Sequence, residues 1–295
     1  MVDELVKLRT GNLELLLNPA IGGSISRFDW HGEGPGPFPL MRGCHSDRTN
    51  VLEAACFPLV PFVNRIRDSR FTFRGREVVL QPNMAGDPSV LHGQGWLAKW
   101  HLLFSGDTEA ELVFEHPAGE WPWTYEARQH FAIDEGGLTV RLSCFNTSID
   151  PMPCGLGLHP YFNCGPMTVL GTHVSDAWEI DGHVLPTHKV PATGRFDLEA
   201  RHVCGQDLDH GFGGWSGKAR ISDPDWPVEL LMSSPDAHFF QLYSPKSGGL
   251  FVAEPVTHAN AALNAPEDEW PDLGVRVLDP GGEMDLVMRI DVRPS

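Results

Sequence analysis

Glu254 occupies an unusual place for a carboxylate, at the end of the apolar stretch GLFVAEP (residues 249–255). The stretch predicts a buried strand that ends at the glutamate, with Pro255 after it. An apolar setting raises the pKa of a carboxyl group toward neutrality, where it becomes an effective general base. A structural ion pair, for example with Arg65, is the alternative interpretation.

Two histidines have similarly apolar or glycine-rich neighbours. His159 lies in GLGLHPYF (residues 155–162), and His92 lies in the glycine-rich LHGQGW (residues 91–96). Burial disfavours the imidazolium while a nearby anion favours it, so a pocket that holds both can bring the pKa into a useful range. Pro160 cannot donate to a sheet, which predicts that His159 lies at a strand end. A packed core histidine is the alternative for each.

Asn64 and Arg65 follow the apolar run in FPLVPFVNRIRD (residues 57–68). The guanidinium either reaches out to solvent along the surface or is held by a stiff loop to donate forked hydrogen bonds to substrate oxygens. Metal chemistry is not indicated, because the chain has no HxH or HExxH motif, and a serine hydrolase is not indicated, because it has no GxSxG.

Composition excludes several other classes of protein. The 295 residues are 41% hydrophobic and 21% charged, with a formal charge of −17, which disfavours binding to nucleic acid or to an anionic membrane. No stretch approaches the ~18 apolar residues of a membrane span, and the N-terminus lacks a signal-peptide pattern. The six cysteines show no CxxC pair, so we expect free buried thiols and a cytoplasmic location.

The elements that must position these residues are strands. Period-two alternation recurs along the chain, and a hairpin is predicted around Arg74 and Gly75. Further strands are predicted at residues 13–17, 111–114, 125–133, 138–145, 228–232, 238–243, 250–254 and 284–290. Long helical periodicity is absent. The sequence therefore predicts an all-β fold, a large antiparallel β-sandwich, as a single domain over residues 1–295.

Seven segments, in order, resemble the aldose 1-epimerases, or galactose mutarotases. They are NPAIGGSISRF, PLVPFVNRIRDSRFTFRG, LHGQGW, WPWTYEARQHFAI, GLGLHPYF, DLDHGF and VAEPVTHANAALN. The resemblance runs from about Leu13 to the end of the chain. It implies the galactose mutarotase-like supersandwich, with the site on a concave sheet face.

The resemblance also implies a role for each matching residue. Glu254 would be the general base and His159 the general acid. The substrate-binding residues would be His92, Arg65, Asn64 and Asp209, with Asp207 as the alternative to Asp209. The implied activity is a cofactor-independent isomerase that interconverts the α and β anomers of a free monosaccharide. Neither a metal nor a cofactor is expected, and the chain would be a monomer or homodimer.

Two alternatives stay open at the level of sequence. One is a mutarotase for an anionic sugar, such as a hexose 6-phosphate or a sulfonated sugar, with cations supplied by Arg42, Arg67 or Arg70. The other is a sugar-binding β-sandwich without catalysis. Ring opening needs an acid and a base, which we expect on opposite sides of the acetal, and stacking surfaces, for which Trp96, Trp123 and Tyr161 are candidates.

Overall fold

The computed structural model describes residues 5–32, 36–43 and 50–294, and these residues are almost entirely β. The named strands pair in antiparallel fashion within a nine-stranded sheet, an eight-stranded sheet and smaller sheets of two to four strands. The prediction of an all-β antiparallel sandwich is confirmed. The single-domain interpretation stays a prediction.

The first third of the chain contains β1 (Val6–Thr10), β2 (Leu13–Asn18), β3 (Ser24–Trp30), β4 (Phe38–Pro39), β5 (Pro58–Leu59), β6 (Arg65–Ile66), β7 (Arg70–Phe73), β8 (Arg76–Val79) and β9 (Val90–Leu91). The middle contains β10 (His101–Ser105), β11 (Glu109–His116), β12 (Tyr125–Asp134), β13 (Gly137–Asn146), β14 (Met152–Cys154), β15 (Gly157–Leu158), β16 (Tyr161–Asn163), β17 (Val169–Thr172) and β18 (Asp176–Ile180). The last part contains β19 (Pro186–Pro191), β20 (Arg201–His202), β21 (Leu208–Gly213), β22 (Lys218–Ser222), β23 (Val228–Ser233), β24 (Phe239–Ser244), β25 (Leu250–Val256), β26 (Arg276–Leu278) and β27 (Glu283–Pro294). The described helices are short 3₁₀ turns at Val51–Glu53, Arg67–Ser69, Gly95–Leu97, Gly194–Phe196, Ala262–Asn264 and Glu267–Glu269.

The nine-stranded sheet follows the alternation seen in the sequence. Its order is β10-β11-β12-β13-β27-β23-β22-β17-β20. Buried and partly exposed residues alternate along β12 and along β27, as expected for a sheet with one face on the core. The predicted hairpin is present as β7 and β8, with Arg74 and Gly75 in the left-handed conformation at its turn.

The eight-stranded sheet carries the residues selected for chemistry. Its order is β19-β18-β21-β24-β25-β15-β5, and β16 pairs with β25 alongside β15. The strand expected to end at Glu254 continues through Pro255 to Val256, so that part of the prediction is wrong. The proline is tolerated inside a strand because β15 and β16 leave a gap beside it, and His159 and Pro160 lie in that gap. His159 therefore lies between two strand ends, as predicted.

The cysteine prediction is partly wrong. Cys164 and Cys204 form a disulfide, with Cα atoms 5.6 Å apart, which joins the end of β16 to the turn before β21. Cys56, Cys144 and Cys154 are free and buried, as expected, and Cys44 lies outside the described residues. Within the described part of the chain, no helix has the length and apolar character needed to cross a membrane.

Candidate active site

Glu254 and His159 lie side by side in the interior. Glu254 Oε1 is 3.5 Å from His159 Nε2, and only 3% of the glutamate and 8% of the histidine surface is exposed. Among the described residues, Glu254 Oε2 and His159 Nδ1 have no hydrogen-bond partner. The expectation of two groups separated across the acetal is wrong, since the groups are in contact with each other. Buried polar atoms are almost always paired, so these two unpaired atoms mark a place for a polar ligand.

Aromatic rings hold the His159 imidazole in place. Phe57 stacks on one side, with ring centroids 4.4 Å apart, and Tyr161 lies at 4.8 Å. The His159 backbone N–H donates to the Phe57 carbonyl over 3.0 Å, which fixes the gap between β15 and β16. Tyr161 thus lies next to His159, and its role as a stacking surface stays a prediction. Of the other two candidates, Trp96 is buried with its ring centroid 5.6 Å from that of His92, and Trp123 is buried in the hydrophobic core.

Burial opposes charge on both members of this pair. It raises the pKa of Glu254 well above its ordinary value of 4.5, and the negative charge of Asp209 raises it further, while Arg65 lowers it. Burial lowers the pKa of His159 from 6.5 to about 3. Burial therefore favours the neutral form of each group. Hydrogen bonds donated to the carboxylate by a polar ligand would favour its ionised form.

His92 and Asn64 form a strained corner next to the pair. Both have left-handed backbones, with φ of 60° and 53°, and the His92 ring centroid lies 5.4 Å from that of His159. The Asn64 backbone N–H donates to His92 Nδ1 over 3.2 Å, and the His92 N–H donates to the Asn64 carbonyl over 2.9 Å. Because Nδ1 accepts, the neutral ring carries its proton on Nε2 and can donate from there. Such strain is typical of functional sites.

Gly93 makes this corner possible. A Cβ atom at Gly93 would lie 2.1 Å from the Val60 carbonyl oxygen, and its φ of +72° is left-handed. The Val60 N–H donates to the His92 carbonyl over 3.2 Å, and the Val60 carbonyl accepts from Gln94 and Gly95. Close backbone approach is thus the reason for glycine in LHGQGW.

Arg65 is paired, but not with Glu254. Its Nε donates to Asp87 Oδ2 over 2.9 Å, and its Nη1 donates to Asn64 Oδ1 over 3.1 Å. The alternative interpretation of Glu254 as the direct ion-pair partner of Arg65 is therefore wrong. The guanidinium still acts at a distance, because its charge lowers the pKa of both Glu254 and Asp209.

Asp209, rather than Asp207, belongs to this cluster. Asp209 Oδ1 accepts from Gln241 Nε2 over 2.8 Å, and Gln241 lies directly across from Glu254 in the sheet. Burial raises the pKa of Asp209, and the charge of Arg65 opposes this shift. Asp207 is exposed and precedes β21 in a left-handed conformation.

A second group of residues, not selected from the sequence, fixes the Asn64–Arg65 loop. We call residues 257–264 the clamp. His258 Nε2 accepts from the Val63 N–H over 3.1 Å, and its Nδ1 donates to the Ala259 carbonyl over 2.8 Å. Asn260 Oδ1 accepts from the Arg65 N–H over 3.1 Å, while Asn260 Nδ2 donates to the Val184 carbonyl.

The clamp continues for one more turn along the loop. Asn264 Oδ1 accepts from the Arg67 N–H over 2.7 Å, and Asn264 Nδ2 donates to the Arg70 carbonyl over 2.8 Å. Asparagine side chains in a turn after a strand are the available sequence signal, but only the fold shows which loop they contact. In the described part of the chain, no group of three His, Cys, Asp or Glu side chains is arranged to hold a metal.

The predicted site residues thus come together at one place in the fold. The family model for aldose 1-epimerase matches residues 4–291. YphB of Escherichia coli K12, described as an uncharacterized protein, is 35% identical over 228 residues, which cover 74% of this chain and 78% of YphB.

Solved structures agree with this match. A crystal structure from Escherichia coli K12, with a provisional aldose 1-epimerase designation, superposes with a TM-score of 0.89 at 31% identity and covers 99% of both chains. A galactose mutarotase-like protein from Clostridium acetobutylicum, 18% identical, has the same fold, with a TM-score of 0.85 over 99% of this chain and 95% of its own. The chain belongs to the aldose 1-epimerase family.

Proposed function

We propose that this protein is a cofactor-independent mutarotase for a free, neutral aldose. The observation that carries the proposal is the buried Glu254–His159 pair, in which Glu254 Oε1 lies 3.5 Å from His159 Nε2 and Glu254 Oε2 has no hydrogen-bond partner among the described residues. In a cyclic sugar, the C1 hydroxyl and the ring oxygen are bonded to the same carbon. Two catalytic groups in contact with each other therefore suit this substrate better than two groups far apart.

Ring opening would proceed by one proton removal and one proton donation. Glu254 as the carboxylate takes the proton from the C1 hydroxyl, whose oxygen forms the carbonyl as the C1–O5 bond breaks. The ring oxygen, which keeps that electron pair, takes a proton from His159 Nε2. Rotation about the C1–C2 bond and the reverse transfers give the other anomer. Each group would contribute on the order of 10²–10⁴-fold.

The reactive form needs the proton on His159 rather than on Glu254. A sugar hydroxyl that donates to Glu254 Oε2 would favour the carboxylate, and so would the nearby charge of Arg65. His92 would donate from Nε2 to the sugar near its ring oxygen. Asn64, Arg65 and Asp209 would orient the remaining hydroxyls, because all three are held by hydrogen bonds.

Polarimetry tests the proposal. Freshly dissolved α-glucose and α-galactose should reach anomeric equilibrium faster with the wild-type protein, while Glu254→Gln should show little acceleration. Glu115→Gln, an exposed carboxylate on the other sheet, is the matched control and should behave as wild type. If neither sugar nor any other neutral aldose is accelerated, the proposal fails.

The anionic-sugar alternative depends on Arg42. Arg67 and Arg70 each face a carboxylate, Asp181 at 3.6 Å and Glu77 at 3.9 Å. The Arg42 guanidinium lies 3.7 Å from the centroid of the Tyr161 ring, which is next to His159, and its Nη2 donates to the Leu52 and Ala54 carbonyls. Acceleration of glucose 6-phosphate alone would favour this alternative, and sugar binding without any acceleration would favour the non-catalytic one.

The cytoplasmic location, like the monomeric or homodimeric state, stays a prediction. The cytoplasmic prediction rested partly on the expectation of free thiols. The disulfide between Cys164 and Cys204 removes that support, since such bonds persist mainly in oxidising compartments. Measuring the free thiols of the protein as it is isolated from its own cells would test this point.

A further inference from the structure

Glu254 is one end of a straight row of side-chain positions across four strands. Gln241 lies directly opposite it on β24, and Gly211 lies opposite Gln241 on β21. On β18, Ala177 pairs with Phe212, so the next residue, Trp178, lies beside Gly211. Directly opposed residues of antiparallel strands point to the same face of a sheet. The row therefore runs Trp178, Gly211, Gln241, Glu254 on the face that carries the candidate site.

Gly211 contributes no side chain to this row, lies between a polar and an aromatic side chain, and is partly exposed. A Cβ atom there would lie 3.2 Å from Gln241 Oε1 and 3.8 Å from Trp178 Cε3. The backbone of Gly211 is not in the left-handed region, so the conformation of the strand does not require glycine. A glycine inside a strand without such a need often marks a place where a ligand or another segment approaches the backbone closely.

Trp178 forms a fixed wall at the far end of the row. Its indole lies against Gly213, where a Cβ atom would be 3.1 Å from Trp178 Cη2, and its ring centroid is 6.0 Å from that of Phe239. The Lys189 ammonium lies 4.8 Å from the indole centroid. These contacts hold the ring, and only 9% of the residue is exposed.

We propose that the end of the pyranose remote from C1, including the C6 hydroxymethyl group, lies over Gly211 and against Trp178. This inference rests on the proposed function, which places C1 at Glu254. Gly211 is two strands from Glu254, roughly 10 Å along the sheet, a span that suits one hexose with its substituents. The C–H groups of a sugar pack well against an aromatic ring, while Gln241 and Asp209 meet hydroxyls at the ring's edge. Gly211 and Trp178 are thus specificity-determining residues for a neutral aldohexose.

The test compares two sugars that differ only at C6, glucose and xylose. In Gly211→Val, the added side chain occupies the space over Gly211 that we assign to the C6 group, so kcat/KM for glucose should fall about 10-fold more than kcat/KM for xylose. Trp178→Ala should raise KM for glucose and leave kcat nearly unchanged. Gly182→Ala adds a methyl group in open space and is the matched control, with no change for either sugar.

Equal losses for the two sugars in Gly211→Val would overturn the inference, and so would no loss for either. A valine at this position could prevent folding, so a second variant, Gly211→Ala, adds a smaller side chain. Thermal unfolding shows whether each variant is folded. Gly211→Ala should lower the ratio of kcat/KM for glucose to kcat/KM for xylose, in the same direction as Gly211→Val but only by a few-fold.

Failure of the proposed function gives a different result. If wild type accelerates neither glucose nor xylose nor any other neutral aldose, the proposed function is wrong, and the space over Gly211 is then tested by calorimetric binding of glucose and xylose. If Gly211→Val weakens the binding of glucose alone, the placement of the C6 group over Gly211 is still supported. If the binding of both sugars is unchanged, that placement is contradicted.

Discussion

His258 and His159 are both buried, and burial lowers the pKa of each, yet their surroundings differ. His258 uses both ring nitrogens in protein hydrogen bonds, to the Val63 N–H and the Ala259 carbonyl. His159 faces a carboxyl group through Nε2, and its Nδ1 has no partner in the described part of the protein. The comparison teaches that a satisfied buried histidine builds the scaffold, whereas an unsatisfied one next to a carboxyl group is available for a ligand.

The largest effect should come from replacing the carboxyl group of Glu254 in the unsatisfied pair. We expect Glu254→Gln to lower the rate of mutarotation by about 10²–10⁴-fold and to raise the melting temperature at pH 8. The folded-state pKa is above the ordinary 4.5, so wild type loses stability as the pH rises above that value, and the glutamine variant does not. Polarimetry and thermal unfolding at several pH values measure the two effects. A variant that is less stable than wild type at pH 8 would contradict this interpretation.

Replacement of His258, whose two ring nitrogens are both hydrogen-bonded, should affect stability more than the reaction rate. His258→Ala leaves the Val63 N–H and the Ala259 carbonyl unpaired in the interior, and we expect a loss of roughly 2–4 kcal/mol in the free energy of unfolding. Chemical denaturation measures the loss. The rate per folded molecule should fall far less than in Glu254→Gln. A His258→Ala variant that is fully stable but inactive would place His258 in the chemistry and end the distinction.

Acid should weaken the scaffold through the same residue. Burial lowers the pKa of His258 from 6.5 to about 4. As the pH falls below 6.5, the unfolded chain binds a proton that the folded chain does not, so this contribution to stability is complete above pH 6.5. It is lost at up to ~1.4 kcal/mol per pH unit down to about pH 4. Denaturation curves of wild type and His258→Gln should therefore converge as the pH falls through this window, and parallel curves would contradict the prediction.

The smallest effects are expected for the two clamp asparagines, Asn260 and Asn264, whose substitutions should differ in their effect on KM. Asn260→Ala removes the acceptor for the Arg65 N–H, so we expect KM for the sugar to rise by a few-fold, with about 1 kcal/mol lost in stability. Asn264→Ala, which contacts Arg67 and Arg70 instead, should cost a similar amount of stability without a change in KM. Equal KM values for the two variants would show that Arg65 does not depend on its clamp.

Local pattern was sufficient to predict ten of the 27 named strands, because each of these depends on alternation within a few residues. The ends of β12, β13 and β27 lie within four residues of their predicted positions. The strand end at Glu254 was wrong because the gap opposite Pro255 is made by a distant segment, between β15 and β16.

The candidate site likewise contains residues that local sequence could identify and others that only the fold reveals. Residue types in apolar surroundings identified Glu254, His159 and Asn64, and the fold brings them together. The clamp could not be predicted, since His258 and Asn260 each contact a residue 195 positions away. The partner of Arg65 is Asp87, in a turn with no distinguishing pattern. The row through Gly211 also required the strand order, because its four positions lie on four separate strands.

That row has a consequence for how relatives can diverge. Glu254 and Trp178, the two ends of the row, lie three strands apart. Substitutions at well-separated sites have nearly independent energetic effects. Exchange of a single side chain on β18 or β21 could therefore retune the preferred sugar in one step, while the proton transfers at the opposite end continue undisturbed.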